Sequence, residues 1–256
     1  MNLNELYKKI INLKSYTPSK EVDFLFGELV SFAITDGNEI TLNKNEVNNI
    51  RRICAEAEFE LEKYWAQKII NSKNPSIELK RFPYFQNYID LVDLEFKSIN
   101  MCPIHSGHEF LFIGGGPLPL TAILLASTYG IKSKIIDTNP EAIKISEKLI
   151  NLLKLQNLIR VEKSDALEFS DYHEFSVIFI AALVGSTKTE KNSIYKKIKD
   201  NSSKSSHIIT RSSKGSRELL YAPVTKDIDD YFENIFAYHP RGNIINSILI
   251  YENSKK

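Results

Sequence analysis

Three consecutive glycines, Gly114, Gly115 and Gly116, follow the apolar run "FLFI" and lead into a stretch, 118–127, that reads as a helix. A strand feeding a glycine turn and then a helix brings backbone close to a ligand at the carboxyl ends of a doubly wound sheet. Asp137 closes the next apolar run, "KIID". It stands about 20 residues beyond the turn, where an acidic side chain accepts hydrogen bonds from ribose hydroxyls. Asp165, after "RVEKS", falls at the end of a third run, from which such sheets reach adenine. An adenosine ligand fits these placements. A dinucleotide fits them poorly, because Leu118 occupies the place of the third glycine that a pyrophosphate needs. S-adenosylmethionine, without a phosphate, has no such need. Pro117 and Pro119 either start the helix with a preset φ or hold the turn in one shape for its ligand. The plainer alternative is a turn that only packs strand against helix; the two acids in register weigh against it.

The elements around these residues divide the chain in two. Leu3, Leu6, Ile10 and Leu13 recur at intervals of three and four, which predicts one face of a first helix. A break at Thr17 and Pro18, with Thr17 as cap, precedes a second, "EVDFLFGELVSFAI". Asn43 and Glu46 have the spacing of a capping box and open a long helix striped by Val47, Ile50, Cys54, Ala57, Leu61, Trp65 and Ile69, ending near Asn74 and Pro75. "YFQNYIDLVDLEFKSI" carries the chain toward a turn at "HSGH", 105–108. Beyond it short apolar runs alternate with helical stretches, the pattern of a parallel sheet wound with helices. The final "NIINSILIYEN" reads as one more strand, an antiparallel edge. The expected fold is therefore α/β: a Rossmann-like S-adenosylmethionine-dependent transferase domain, 106–256, preceded by an all-α domain, 1–105.

At 256 residues, with 43% hydrophobic and 25% charged residues, the chain is ordinary for one or two globular domains. A net charge of +1 gives no general attraction to nucleic acid or to anionic membranes, so neither is expected as a partner. The N-terminus lacks the apolar core of a signal peptide and no run has the length of a membrane span; a cytoplasmic location is expected. Cys54 and Cys102 lack paired spacing, and the histidines, His239 among them, suggest no bound metal.

Several motifs occur together and in order: "FPYFQNY" (82–88), "FIGGGPLPLTAILLA", "AALVG" (181–185), the series Arg211, Gly215, Arg217, Leu220 and Tyr221 in "RSSKGSRELLYAPV", and "YHPRGNIINS" (238–247). Over roughly residues 55 to 250 they resemble the nicotianamine synthase family, and linked motifs are far more specific than one glycine turn. In length the chain is closer to the compact archaeal and bacterial members than to the plant enzymes. The resemblance implies transfer of the 3-amino-3-carboxypropyl (aminobutyrate) group of S-adenosylmethionine to an amine acceptor, such as glutamate, histidine or another aminobutyrate unit. Methylthioadenosine is released, no metal is required, and the product is a metal chelator.

The same resemblance implies roles for individual residues. Glu62, in "LEKYWAQ", is the base that takes the proton of the acceptor amine, and Tyr88 lies against the reacting arm. By helical phase Glu62 keeps company with Trp65 and Ile69, beside the apolar stripe; without the resemblance it reads as a solvated glutamate among Glu56, Glu58 and Glu60. The cofactor-binding set comprises Gly114, Gly115, Gly116, Pro117, Leu118, Asp137, Thr138, Asp165, Ala166, Ala181 and Ala182. Arg211 and Arg217 suit carboxylates of the acceptor or of the transferred unit, with Tyr238 and Asn246 completing the acceptor pocket. "STKTEK" and the short N-terminal region border the expected entrance and leave open the acceptor and the number of units added. A homodimer is also left open. The rival readings are a small-molecule methyltransferase, an RNA-modifying transferase of the same group, and a binding module without catalysis.

Overall fold

The computed structural model describes residues 1–100, 109–185 and 187–254. The turn expected at 105–108, Cys102 and the boundary placed after residue 105 lie outside the described residues. Five helices come first: α1 (Leu3–Ile11), α2 (Lys20–Ile34), α3 (Lys44–Ile70), the short α4 (Pro75–Leu79) and α5 (Phe85–Asn100). The sheet and its helices follow as β1 (Glu109–Ile113), α6 (Leu120–Tyr129), β2 (Ser133–Asp137), α7 (Pro140–Leu152), β3 (Ile159–Lys163), β4 (Phe175–Ile180), α8 (Lys188–Asn201), β5 (His207–Ser212), β6 (Glu233–Tyr238) and β7 (Ser247–Glu252).

Local chemistry explains most boundaries. The capping box at α3 is present: Asn43 Oδ1 accepts from Glu46 N–H at 3.1 Å, and Glu46 Oε2 accepts from Asn43 N–H at 2.9 Å. The cap of α2 is Ser19 rather than Thr17. The Ser19 hydroxyl accepts from Val22 N–H, while Thr17 N–H is used on Ser15 Oγ at 3.1 Å, in the turn before the helix. α3 also stops short of the expected Asn74. Its C-cap is Asn71, because the polar run 71–74 offers nothing to the core, and Pro75 opens α4 instead.

The strand order is β3-β2-β1-β4-β5-β7-β6, with β1 to β5 parallel and β7 antiparallel to both neighbours. The last run of the sequence is thus an antiparallel strand but not the edge. That place belongs to β6, whose residues are mostly exposed and so show none of the alternation by which a strand announces itself in sequence. Strand order reverses at β1 and β4, and a crevice opens beyond their carboxyl ends.

Alternation along β1 feeds two cores. Phe110 and Phe112 join the face covered by α5, α6 and α7 and by Ala66 and Ile69 of α3; Leu111 and Ile113 join the face covered by α8. A third core unites α1, α2 and the first half of α3 with Leu219, Leu220 and Ile245 from the C-terminal loops. α3 therefore runs from one core to another, and the crevice lies between them.

Candidate active site

The glycine turn is required by its backbone and by its neighbours. Gly114 and Gly116 have φ of +81° and +64°, a region that strains any side chain, and a Cβ on Gly115 would stand 2.3 Å from Ile135 Cγ2. Pro119 is the N-cap of α6, so the stiff segment lies just outside the helix. Gly116 N–H donates to Asp137 Oδ2 at 2.9 Å and Asn139 N–H to Oδ1 at 2.8 Å. One backbone donor per oxygen fixes this carboxylate at the tip of β2 and leaves each oxygen a lone pair for a ligand. Beyond β3, Asp165 Oδ1 accepts from Leu167 N–H at 2.8 Å, and the Ala166 carbonyl accepts the Tyr172 hydroxyl at 2.7 Å. Ala181 N–H pairs with the Ile113 carbonyl at 3.1 Å, holding the tip of β4 against β1.

These tips enclose a cavity of about 430 Å³. Gly114, Gly115, Gly116, Leu118, Asp137, Thr138, Asp165, Ala166, Ala181 and Ala182 line it, and so do Glu62, Tyr88, Arg211 and Asn246. Pro117 is buried behind the wall.

Two carboxylates of α3 face this space one helical turn apart. Glu62 accepts a hydrogen bond from Leu118 N–H, which ties it to the glycine turn. Burial pushes its carboxyl well above the ordinary range, Glu58 and Asp137 push it further, and Leu118 N–H and Arg211 oppose this. Glu58 Oε2 accepts the Tyr221 hydroxyl at 2.9 Å; burial raises Glu58 too, against Tyr221 and Arg211. From α5, Tyr88 is raised by burial and by Glu62 and Glu58, so its phenol stays protonated and serves as a donor.

Arg211 reaches the cavity from β5, but its fork is engaged from within. Nε and Nη2 donate to Glu95 at 2.8 and 3.1 Å, and Nη2 also donates to Thr121 Oγ1 at 2.7 Å. The guanidinium lies 5.6 Å from the Tyr88 ring centre, within cation–π range. Arg217, by contrast, is off the cavity wall. Its Nη2 donates to the Gly242 carbonyl at 2.8 Å and its Nη1 lies 3.9 Å from Asp36. It ties a loop to the end of α2, because the 3₁₀ turn that carries it packs against that helix. Tyr238 also stays away: it sits on the edge strand, 43% exposed, its ring parallel to Phe236. Asn246 does line the cavity and is only 7% exposed, and its Nδ2 has no partner among the described residues.

Sequence reasoning assigned no site role to Glu58, Tyr221 or Glu95. Tyr221 appeared only within a motif. Glu95 carried a readable signal, an acid in register with the buried residues Leu91, Val92 and Ile99 of α5. Glu58 had none, since four glutamates crowd that part of α3.

The model of the family described as "Nicotianamine synthase protein" matches residues 1–256. This chain belongs to the nicotianamine synthase family. Curated nicotianamine synthases resemble it along their length: "Probable nicotianamine synthase 4" of Arabidopsis thaliana is 34% identical over 260 residues, covering 96% of this chain and 80% of that one. The nicotianamine synthase of Solanum lycopersicum is 31% identical over 258 residues, with the same coverage. Among solved structures, MtNAS in complex with MTA and tNA has a TM-score of 0.86 at 25% identity, covering 97% of this chain and 96% of that one. A mutant of MtNAS in complex with S-adenosylmethionine has a TM-score of 0.84 at the same identity, covering 97% and 95%. The N-methyltransferase NodS of Bradyrhizobium japonicum WM9, at 14% identity and a TM-score of 0.50, shares the fold alone. As a nicotianamine synthase family member the chain is an S-adenosylmethionine-dependent aminocarboxypropyl transferase, and the Rossmann-like fold expected from sequence is the one observed. Among the described residues no helix is long and apolar enough to cross a membrane, and no three His, Cys, Asp or Glu side chains are grouped to hold a metal ion.

Proposed function

We propose that Glu62 is the proton acceptor of the transfer, and that the residues around it divide the substrates between the two ends of the cavity. The observation that carries this reading is the placement of the Glu62 carboxylate on Leu118 N–H, against the glycine turn, with a raised affinity for a proton. S-adenosylmethionine supplies a carbon next to its sulfonium; the acceptor nitrogen bonds to that carbon as the carbon–sulfur pair departs with methylthioadenosine. The nitrogen's proton passes to Glu62, whose raised pKa makes it a stronger proton acceptor than an ordinary carboxylate.

Asp137 accepts the ribose hydroxyls. Thr138, Asp165 and Ala166 border the adenine end, and Gly114 to Gly116, Leu118, Ala181 and Ala182 form the wall along the cofactor, with Pro117 bracing the turn from behind. The turn fits such a ligand: its three glycines line the cavity and put no side chains of their own into it. Tyr88 donates to the carboxylate of the transferred arm. Asn246 offers Nδ2 to a carboxylate of the acceptor. Arg211, engaged by Glu95, acts on the site through its field and through the Tyr88 ring. Arg217 and Tyr238 do not line the cavity, so the reading gives the acceptor to Asn246 rather than to them.

The product is a nicotianamine-like chelator, and the acceptor is an amino acid such as glutamate or histidine, or an aminobutyrate unit. The same reading divides the chain into a helical domain, 1–105, and a Rossmann-like domain, 106–256, places it in the cytoplasm, and allows a homodimer. Glu62→Gln tests it. Methylthioadenosine release should fall roughly 10² to 10⁴-fold with nearly unchanged S-adenosylmethionine affinity, and recover as the pH approaches the pKa of the amine. Wild-type turnover of this variant at neutral pH would remove Glu62 from the chemistry. Release of adenosylhomocysteine in place of methylthioadenosine would identify a methyltransferase instead.

A further inference from the structure

Behind the cavity wall lies a carboxylate that the transfer itself does not use. Arg211 lines the cavity, and among the described residues it is the sole Lys, Arg or His to do so. Its partner Glu95 is fully buried and stands off the lining, and both of its oxygens accept from the one guanidinium, at 2.8 and 3.1 Å. Glu95 sits one turn of α5 from Leu91 and one from Ile99, both buried apolar residues. A buried ion pair often adds nothing over apolar residues of the same volume, while either charge left alone is costly. Stability therefore does not account for placing this pair beside a ligand cavity.

The guanidinium has a bracing role that depends on its shape. It comes from β5, reaches Glu95 on α5, donates to Thr121 Oγ1 in the first turn of α6 at 2.7 Å, and lies 5.6 Å from the ring centre of Tyr88. One planar fork thus joins three elements around the cavity. Its charge is a separate matter. S-adenosylmethionine carries a positive sulfur, and a bare guanidinium in the wall would repel it with little solvent between them. The Arg211 charge is felt inside the cavity, since it lowers the proton affinity of both Glu62 and Glu58.

We propose that Glu95 is a positioning residue that both holds the Arg211 fork and offsets its charge, so that the cavity selects the sulfonium of S-adenosylmethionine over the uncharged thioether of the same skeleton. The inference rests on S-adenosylmethionine occupying this cavity. With Glu95 in place the pair sums to no net charge, and the charges left to the wall are carboxylates, Asp137 among them.

The test measures the dissociation constants of S-adenosylmethionine and adenosylhomocysteine by titration calorimetry on the full chain. The two ligands share the adenosine and the amino acid arm and differ by one methyl group and one positive charge. The methyl difference is common to every variant, so a change in the ratio of the two constants reads the charge. Glu95→Gln keeps the size of the side chain and removes its charge. It should weaken S-adenosylmethionine roughly tenfold, as expected for one charge acting across about 10 Å at an effective dielectric constant of about 20, and leave adenosylhomocysteine nearly unchanged. Glu95→Asp, whose carboxylate is kept but drawn back by one methylene, should change the ratio in the same direction by a smaller factor. If Glu95→Gln does not fold, Glu95→Asp carries the test: a preference reduced through S-adenosylmethionine supports the assignment, and an unchanged one overturns it. An unchanged ratio in Glu95→Gln, an equal loss of both ligands, a loss of adenosylhomocysteine alone, or a preference in Glu95→Asp no greater than in Glu95→Gln also overturns it. A purely structural role would weaken both ligands alike. If instead S-adenosylmethionine lies outside this cavity, Asp137→Ala leaves its affinity unchanged, an outcome that no Glu95 variant mimics.

Discussion

Gly116 and Glu62 meet in the wall of the cavity: a Cβ on Gly116 would stand 2.6 Å from Glu62 Oε2. The turn proposed to approach the cofactor thus also seats the carboxylate proposed to take the proton, and Leu118 N–H anchors it from two residues further on. With φ at +64°, Gly116 cannot gain a side chain without strain of about 1 to 2 kcal/mol. Gly116→Ala should lower the melting temperature by a few degrees. Because the methyl also displaces Glu62, turnover should fall by more than about tenfold, a penalty typical of a misplaced catalytic group. Wild-type methylthioadenosine release would show that this contact does not position the base.

Asp137 is held by two backbone donors, on Gly116 and Asn139, and faces the cavity. Asp137→Ala removes the carboxylate proposed to accept the ribose hydroxyls. Loss of a hydrogen bond to a charged group costs roughly 1.5 to 3 kcal/mol, so S-adenosylmethionine should bind about tenfold more weakly or worse. Titration calorimetry reads this directly, and unchanged affinity would place the ribose elsewhere.

The Arg211–Glu95 pair, one partner fully buried, should be costly to halve. Glu95→Gln leaves the guanidinium without its counter-charge, and breaking such a pair costs about 3 to 5 kcal/mol. Chemical denaturation should show that loss. The double variant Arg211→Met with Glu95→Leu should recover most of it, because neither charge is then left buried alone. A double variant as unstable as Glu95→Gln would contradict this.

Glu62 must be ionised to accept a proton, and burial followed by Glu58 raises its pKa. The acidic limb of the turnover profile should therefore lie above the ordinary carboxylate range: activity is lost as the pH falls through this raised value. Glu58→Gln removes the like charge, so Glu62 should ionise at lower pH and the limb should move toward acid. A limb that stays in place, or moves the other way, would show that Glu58 does not act on Glu62 through its charge.

The transfer requires neither a Lewis acid nor an activated water. Turnover should survive exhaustive dialysis against a chelator. Loss of activity that one added metal restores would refute the assigned chemistry.

What could be read from sequence was local. The apolar runs "FLFI" and "KIID", the capping box of Asn43 and Glu46, the glycine turn and the acids at the end of β2 and just beyond β3 each depend on neighbours a few residues away. They sufficed for the fold class and for the strand-tip residues that line the cavity, because strand tips in a doubly wound sheet put such residues at its crevice. The tertiary structure decided the rest. Arg211 finds Glu95 116 residues away, and no periodicity records that pairing. Arg217, alike in type and nearby in sequence, is drawn instead to carbonyls of a loop. The edge strand β6 shows no alternation, since a strand with little to bury needs none. On α3, Ile50, Ile53 and Cys54 serve one core and Ala66 and Ile69 another, with Glu58 and Glu62 between them. Helical phase alone put Glu62 beside the stripe. Only the packing of α3 across two cores turned that position, with Glu58, toward a cavity rather than toward solvent.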